Sequence, residues 1–179
     1  PGGVDALPLA RVHQLWDELA DFGLSQTEAA MMHFMRVMCD LLQARNATWG
    51  GAVRIDDDAP SDPLGGWRVA AMSILHPMPR GRDEAMFREI LRQWDRRQVD
   101  PSFLLPMRAV GEFRTYVFRR DLPAGWFESD FYRNHYESVG TMDALFVAFP
   151  LGADAESHFA FYADHCFEER DVASPASLS

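Results

Sequence analysis

Residues 125–149 read GWFESDFYRNHYESVGTMDALFVAF. Trp126, Phe127, Phe131, Tyr132, His135 and Tyr136 crowd together immediately before an apolar run. Ser129 is placed to cap a helix through its hydroxyl, Asp130 stands in the first turn, where the helix dipole favours negative charge, and Gly140 supplies the stop. Phe131 and His135 are four apart and share one helix face, as do Tyr132 and Tyr136. A short aromatic helix leading straight into a buried strand predicts an apolar pocket closed between helix and sheet. An ordinary core with an aromatic rim gives the same pattern, so both readings stand at this point.

Working outward, Ala144–Pro150 and Ser157–Ala163 read as two strands around the turn LGADAE, and SHFAFYA alternates with Phe159 and Phe161 inward. Upstream, Phe113–Arg120 alternates as a third strand, preceded by the proline-broken segment DPSFLLPMRAVG. Residues 83–98 return to helical spacing through Phe87, Ile90, Leu91 and Trp94. The row Arg88, Arg92 and Arg96 on that helix reads as a solvated face supported by Glu84, with anion binding or partner docking as the rival reading.

From Ala47 the period is two: Trp49, Gly51, Val53 and Ile55 alternate with Thr48, Gly50, Ala52 and Arg54, as in a half-buried strand. The loop DDDAPSDPLGG follows, and Trp67–His76 is the returning strand. Two helices come first. Pro8 opens one carrying Val12, Leu15, Trp16 and Leu19, closed by Gly23; Ser25 with Glu28 forms a capping box for the second. Met31, Phe34, Met35, Met38 and Leu42 make its stripe, widened by Met32 and Cys39. So wide an apolar arc predicts burial on two sides, against the sheet and against a partner subunit, unless a monomer core covers it all. The predicted fold is α+β: a central, mainly antiparallel sheet of about five strands flanked by helices.

The chain has 179 residues, 47% of them hydrophobic, enough for one domain with a substantial core. Its 17 basic residues, all arginine, against 27 acidic ones give a net charge of −10, which repels phosphate backbones. No apolar run reaches the ~20 residues of a membrane span, and the N-terminus lacks the pattern of a secretion signal, so a cytoplasmic setting and no membrane partner are expected. Cys39 and Cys166 stand in unrelated contexts and read as free thiols.

No GxSxG, phosphate-loop, GxGxxG, HExxH or CxxC motif occurs. Among the scattered histidines only His158 and His165 are close enough in sequence to suggest a metal pair, and His33 is the candidate for a haem or metal ligand; neither has a supporting set, so no metal, cofactor or catalytic residue is assigned. Glu128, Asp130, Glu137 and Asp143 surround the aromatic cluster, and capping and turn formation account for Asp130 and Asp143. What remains is an aromatic and methionine lining with polar tips, suited to holding a small molecule without transforming it.

The succession of the Trp49 strand, Gly66-Trp67-Arg68, Phe113-Arg114, W126-x-x-S129-x-F131-Y132, G140-x-M142-D143-x-L145, Glu156-Ser157 and F167-x-x-R170-D171 resembles the sensor region of bacterial LuxR-type helix-turn-helix transcriptional regulators over Leu24 to Asp171. The resemblance implies a GAF/PAS-like sensor domain over residues 1–171, with 172–179 a polar tail, a cytoplasmic transcriptional regulator, and DNA contact only through a domain missing from this chain. The expected function is binding of a small, largely apolar ligand, with Trp67, Tyr116, Trp126, Phe131 and Tyr132 stacking on it and His135 hydrogen-bonding to it. A homodimer through helices within residues 8–44 is expected. A dimerisation module with a filled core, and a haem-binding sensor or small enzyme, are the alternatives.

Overall fold

The computed structural model describes residues 26–55, 62–77 and 98–169, with shorter pieces between 14 and 23 and between 85 and 96. Helix α1 spans Thr27–Leu42 and buries Met35, Val37, Cys39 and Leu42. Its N-cap is Gln26, without a side-chain cap bond, so the expected Ser25 box is not its start; Ser25 itself lies outside the described residues. Gln43, with φ of 53°, ends the helix in the left-handed region. Of the expected first helix, Gln14, Leu15 and residues 17–19 are helical, while Pro8, Val12 and Trp16 are outside the description. Likewise, within 83–98 the helical residues described are 85, 88–90, 92 and 93.

Five strands follow: β1 (Asn46–Arg54), β2 (Trp67–Ile74), β3 (Arg114–Val117), β4 (Asp143–Gly152) and β5 (Ala155–Ala163). They form one sheet in the order β2-β1-β5-β4-β3, every neighbour antiparallel, as the alternating pattern predicts. Asp62 shapes the β1–β2 connection: its carboxylate accepts from the N–H groups of Leu64 and Gly66, each at 3.0 Å, and from Arg68 at 3.1 Å. The third strand is shorter than the alternation of residues 113–120 suggests. The Asp121 carboxylate takes the Val117 N–H at 2.7 Å, turning Phe118–Asp121 into a helical turn, α3.

The sheet is covered on both faces, so β1 is not half-solvated as its sequence suggests. One face presents Ala47, Leu145, Phe161 and Val117 to Met35, Cys39 and Leu42 of α1. Burial, aided by the neighbouring Asp40 charge, pushes the Cys39 thiol up to about 11 and keeps it an inert part of this core. The opposite face meets Ile90, residues 102–107 and residues 118–141. There Asp100 caps the short helix α2 (Pro101–Leu104), accepting from the Ser102 N–H at 2.9 Å.

The aromatic segment is a broken helix in three pieces. A 3-10 turn covers Ala124–Glu128, α4 covers Asp130–His135, and a second 3-10 turn covers Glu137–Val139. Ser129 caps α4 through the Tyr132 N–H at 3.2 Å and Gly140, with φ of 81°, ends the segment, as expected. No helix among the described residues is long and apolar enough to cross a membrane.

Candidate functional site: a chamber over the sheet

The strand registers place residues of one parity in rows beneath Ile90, residues 102–107 and residues 118–141. One row is Thr48, Ala160, Phe146 and Tyr116; the next is Gly50, His158, Ala148 and Arg114; a third pairs Ala52 with Glu156. Across this floor Gly50, Ala52, Ala148 and Ala160 carry only hydrogen or methyl side chains, with His158 and Glu156 between them on the central strand. Large rings stand around it, among them Trp67 at one edge, Tyr116 and Phe146 stacked at 4.7 Å, and Phe103, Phe118 and Tyr136 above. Bulky walls around a floor of small residues leave a cavity of about 390 Å³, within the size range of small-molecule sites. A Cβ added at Gly50 would meet nothing within 4 Å, the local sign of the same void.

The six residues singled out from the sequence occupy two layers. Trp67, Tyr116 and His135 line the cavity. Trp126, Phe131 and Tyr132 stand behind its wall. The Trp126 indole N–H donates to Asp100 at 2.8 Å, and its ring lies 5.1 Å from Phe118 and 5.9 Å from Tyr136. Phe131 meets Phe103 edge-on at 5.7 Å and stacks under His135 at 4.5 Å, whose Nδ1–H donates to the Phe131 carbonyl. The Tyr132 hydroxyl accepts from Arg119 at 2.9 Å and donates to the Met142 carbonyl at 3.1 Å.

Gly50, Glu156, His158 and Tyr162 also line the cavity, and the sequence reading did not single them out as site residues. Their signal was the second face of SHFAFYA: once Phe159 and Phe161 are assigned to one side, His158 and Tyr162 fall on the other, and only knowledge that this side is also covered makes them interior.

One end of the chamber is strongly polar. The guanidinium of Arg114 grips the Glu156 carboxylate at both oxygens, at 3.0 and 2.8 Å, with side chains only 9% and 3% exposed. Arg114 also donates to the carbonyls of Pro106 and Glu112, and Glu156 accepts the Gly111 N–H at 2.8 Å. This cluster fastens the loop carrying Pro106 and Met107, part of the roof, to the sheet. Its Nε is a buried polar atom without a partner among the described residues. His158 Nε2 lies 3.0 Å from Glu156 Oε2.

Burial alone would raise the Glu156 carboxyl, but the hydrogen bonds from Arg114 and Gly111 outweigh it and hold it below the usual range. Burial lowers the His158 imidazole, with Glu156 only partly opposing. Both folded-state values thus lie below their unfolded ones, so each contributes stability that is present at neutral pH and lost on acidification. The His158 contribution fades first, as pH falls below the ordinary value of 6.5. Urea melts at pH 7 and pH 5 are expected to show less loss of stability in His158→Phe than in the wild type; an equal loss in both would assign the pH dependence elsewhere.

Other groups noted in the sequence have structural roles. Asp143 is a fully buried anchor instead of a turn residue: it accepts from the N–H groups of Arg119, Ala144 and Phe167 at 3.0, 2.9 and 3.0 Å, and burial raises its carboxyl despite these bonds. Glu128, Asp130 and Glu137 are exposed. His33 Nε2 is engaged by Glu18 at 2.6 Å. Cys166 is exposed, 3.9 Å from the Met142 sulfur.

No protein-family model and no curated protein matches the chain. Solved structures do share its fold. The VqsR LBD domain from Pseudomonas aeruginosa aligns with TM-score 0.54 at 10% identity, covering 92% of this chain and 84% of that one. CepR2 from Burkholderia cenocepacia, an N-acylhomoserine lactone dependent LuxR family transcription factor, aligns with TM-score 0.58 at 19% identity, covering 94% and 85%. SdiA in complex with octanoyl-rac-glycerol aligns with TM-score 0.56 at 12% identity, covering 99% of this chain and 62% of that one. At these identities the likeness establishes the fold, an open five-stranded antiparallel sheet with helices on it.

Proposed function

We propose that this chain is the sensory domain of a LuxR-type transcriptional regulator, binding a small, largely apolar molecule in the chamber and passing its occupancy to an attached output domain. The observation that carries this reading is the 390 Å³ cavity itself, floored in part by Gly50, Ala52 and Ala160. A dimerisation module with a filled core has no use for such a space. The shared fold supports the same reading, because the structures that resemble this chain include a LuxR-family factor dependent on N-acylhomoserine lactone and a complex with octanoyl-rac-glycerol. An open antiparallel sheet covered on both faces also suits a GAF/PAS-like kinship.

In this account Trp67, Tyr116 and His135 touch the ligand, while Trp126, Phe131 and Tyr132 hold the wall from behind. Asp143 supplies a route outward, since it joins Arg119, which also reaches Tyr132, to the Phe167 backbone at the start of the C-terminal segment. A ligand shifts that route only by as much as its affinities for the two arrangements differ. Homodimerisation through helices within residues 8–44, DNA contact through an attached domain and a cytoplasmic setting belong to the same proposal.

Native mass spectrometry of freshly purified protein tests the reading. The expected spectrum contains a species heavier than the bare chain by one small molecule, which organic extraction removes. A bare mass from every expression host, with no small molecule recovered in the extract, would overturn it.

A further inference from the structure

Resting on the receptor reading above, we infer that the ligand carries an O–H or N–H donor, which it delivers to Nδ1 of His158, and that Arg114 and Glu156 are positioning residues that set the imidazole to accept it. The Glu156 carboxylate, gripped at both oxygens by Arg114 and bonded to the Gly111 N–H, is an acceptor only. The ring nitrogen facing it, His158 Nε2 at 3.0 Å, must therefore carry the proton. Burial favours the neutral imidazole, which leaves Nδ1 with a lone pair and no hydrogen.

Nothing among the described residues uses that lone pair. His158 lines the cavity, and its row neighbours are Gly50 on one side and Ala148 on the other, neither with a polar side chain. Nδ1 has no partner among the described residues. The other polar tips do not impose a direction in the same way. Tyr116 and Tyr136, 7% and 8% exposed, line the cavity with hydroxyls that have no hydrogen-bond partner among the described residues, and a hydroxyl serves as donor or acceptor. The Tyr162 hydroxyl pairs with Thr48 at 3.1 Å. His158, with its tautomer fixed from behind by a buried carboxylate, demands one kind of group from the guest; His135, whose Nδ1–H is held by the Phe131 carbonyl, offers a second acceptor but lies on the opposite wall, not on the sheet. An acceptor-only group placed against His158 would face a lone pair and leave both buried atoms unsatisfied.

Octanol and methyl heptyl ether are isomers that differ in whether the oxygen bears a hydrogen, and calorimetric titration of each into the full chain is the test. The wild type is expected to bind octanol about tenfold more tightly, the equivalent of one unsatisfied buried polar group, and His158→Phe to bind the two within about twofold. The wild-type comparison stands by itself if that variant fails to fold. Equal binding of both isomers by the wild type, with both lost in Gly50→Phe, would overturn this inference and leave the chamber reading intact. A preference for octanol that persists in folded His158→Phe would also overturn it. Binding of neither isomer by the wild type would count against the chamber reading, and this inference would fall with it.

Discussion

Replacing Arg114 by methionine is expected to destabilise the fold by about 3–5 kcal/mol, read as a lower urea midpoint at pH 7. The expected size follows from burial: both side chains of the pair are nearly excluded from solvent, so removing the guanidinium leaves the Glu156 carboxylate with the Gly111 N–H and a neutral imidazole as partners. The carbonyls of Pro106 and Glu112 lose their donor at the same time. A domain is typically stable by only about 5–15 kcal/mol, so the variant is expected near the limit of folding. The double variant Arg114→Met, Glu156→Leu recovers part of the loss, because it removes the stranded charge, but not all, because the two carbonyls remain unpaired. A single variant within about 0.5 kcal/mol of wild type would show that the pair is hydrated and that the roof loop is not fastened through it.

The same residues mark the limit of what the sequence discloses. Period-two alternation and turn chemistry were sufficient for the five strands and their hairpins, and the Ser129 cap and Gly140 stop were legible residue by residue. The β3 boundary was not, because the bond that ends it comes from Asp121, just beyond the alternating run of residues 113–120. For the cavity, the aromatic cluster announced the wall but not which rings face inward. Trp126 is turned away by its bond to Asp100, and Tyr132 by Arg119; both partners are distant in sequence and carry no local signal. The floor was least legible of all. Glycine and alanine in strands look like weak strand formers, and they read as an absence of side chains over one spot only when the registers set Gly50, His158 and Ala148 side by side.

Gly50→Phe is expected to abolish retention of any small molecule while leaving the fold in place. The backbone there is ordinary strand, a new Cβ has no atom within 4 Å, and the ring would enter the chamber beside His158 and Met72. Because glycine is a poor strand residue and phenylalanine a good one, stability is expected to hold or rise by up to about 1 kcal/mol. The neighbouring Gly51 makes the contrast: a Cβ there lies 3.1 Å from the Trp49 ring, so Gly51→Ala is expected to cost stability through crowding. Thermal melts and native masses of the two variants separate these effects. A Gly50→Phe protein that unfolds, or that folds and still carries its small molecule, would mean that the space above Gly50 is not where a guest sits.

The most direct measurement is the electron density of the protein crystallised as purified, inspected in the volume bounded by Gly50, His158, Phe146 and Tyr136. A continuous feature of small-molecule size, with a polar atom within hydrogen-bond distance of His158 Nδ1, is the predicted result. Finding that volume closed by Met72, Phe146 or Tyr136 swung inward, with no room left for a guest, would contradict it.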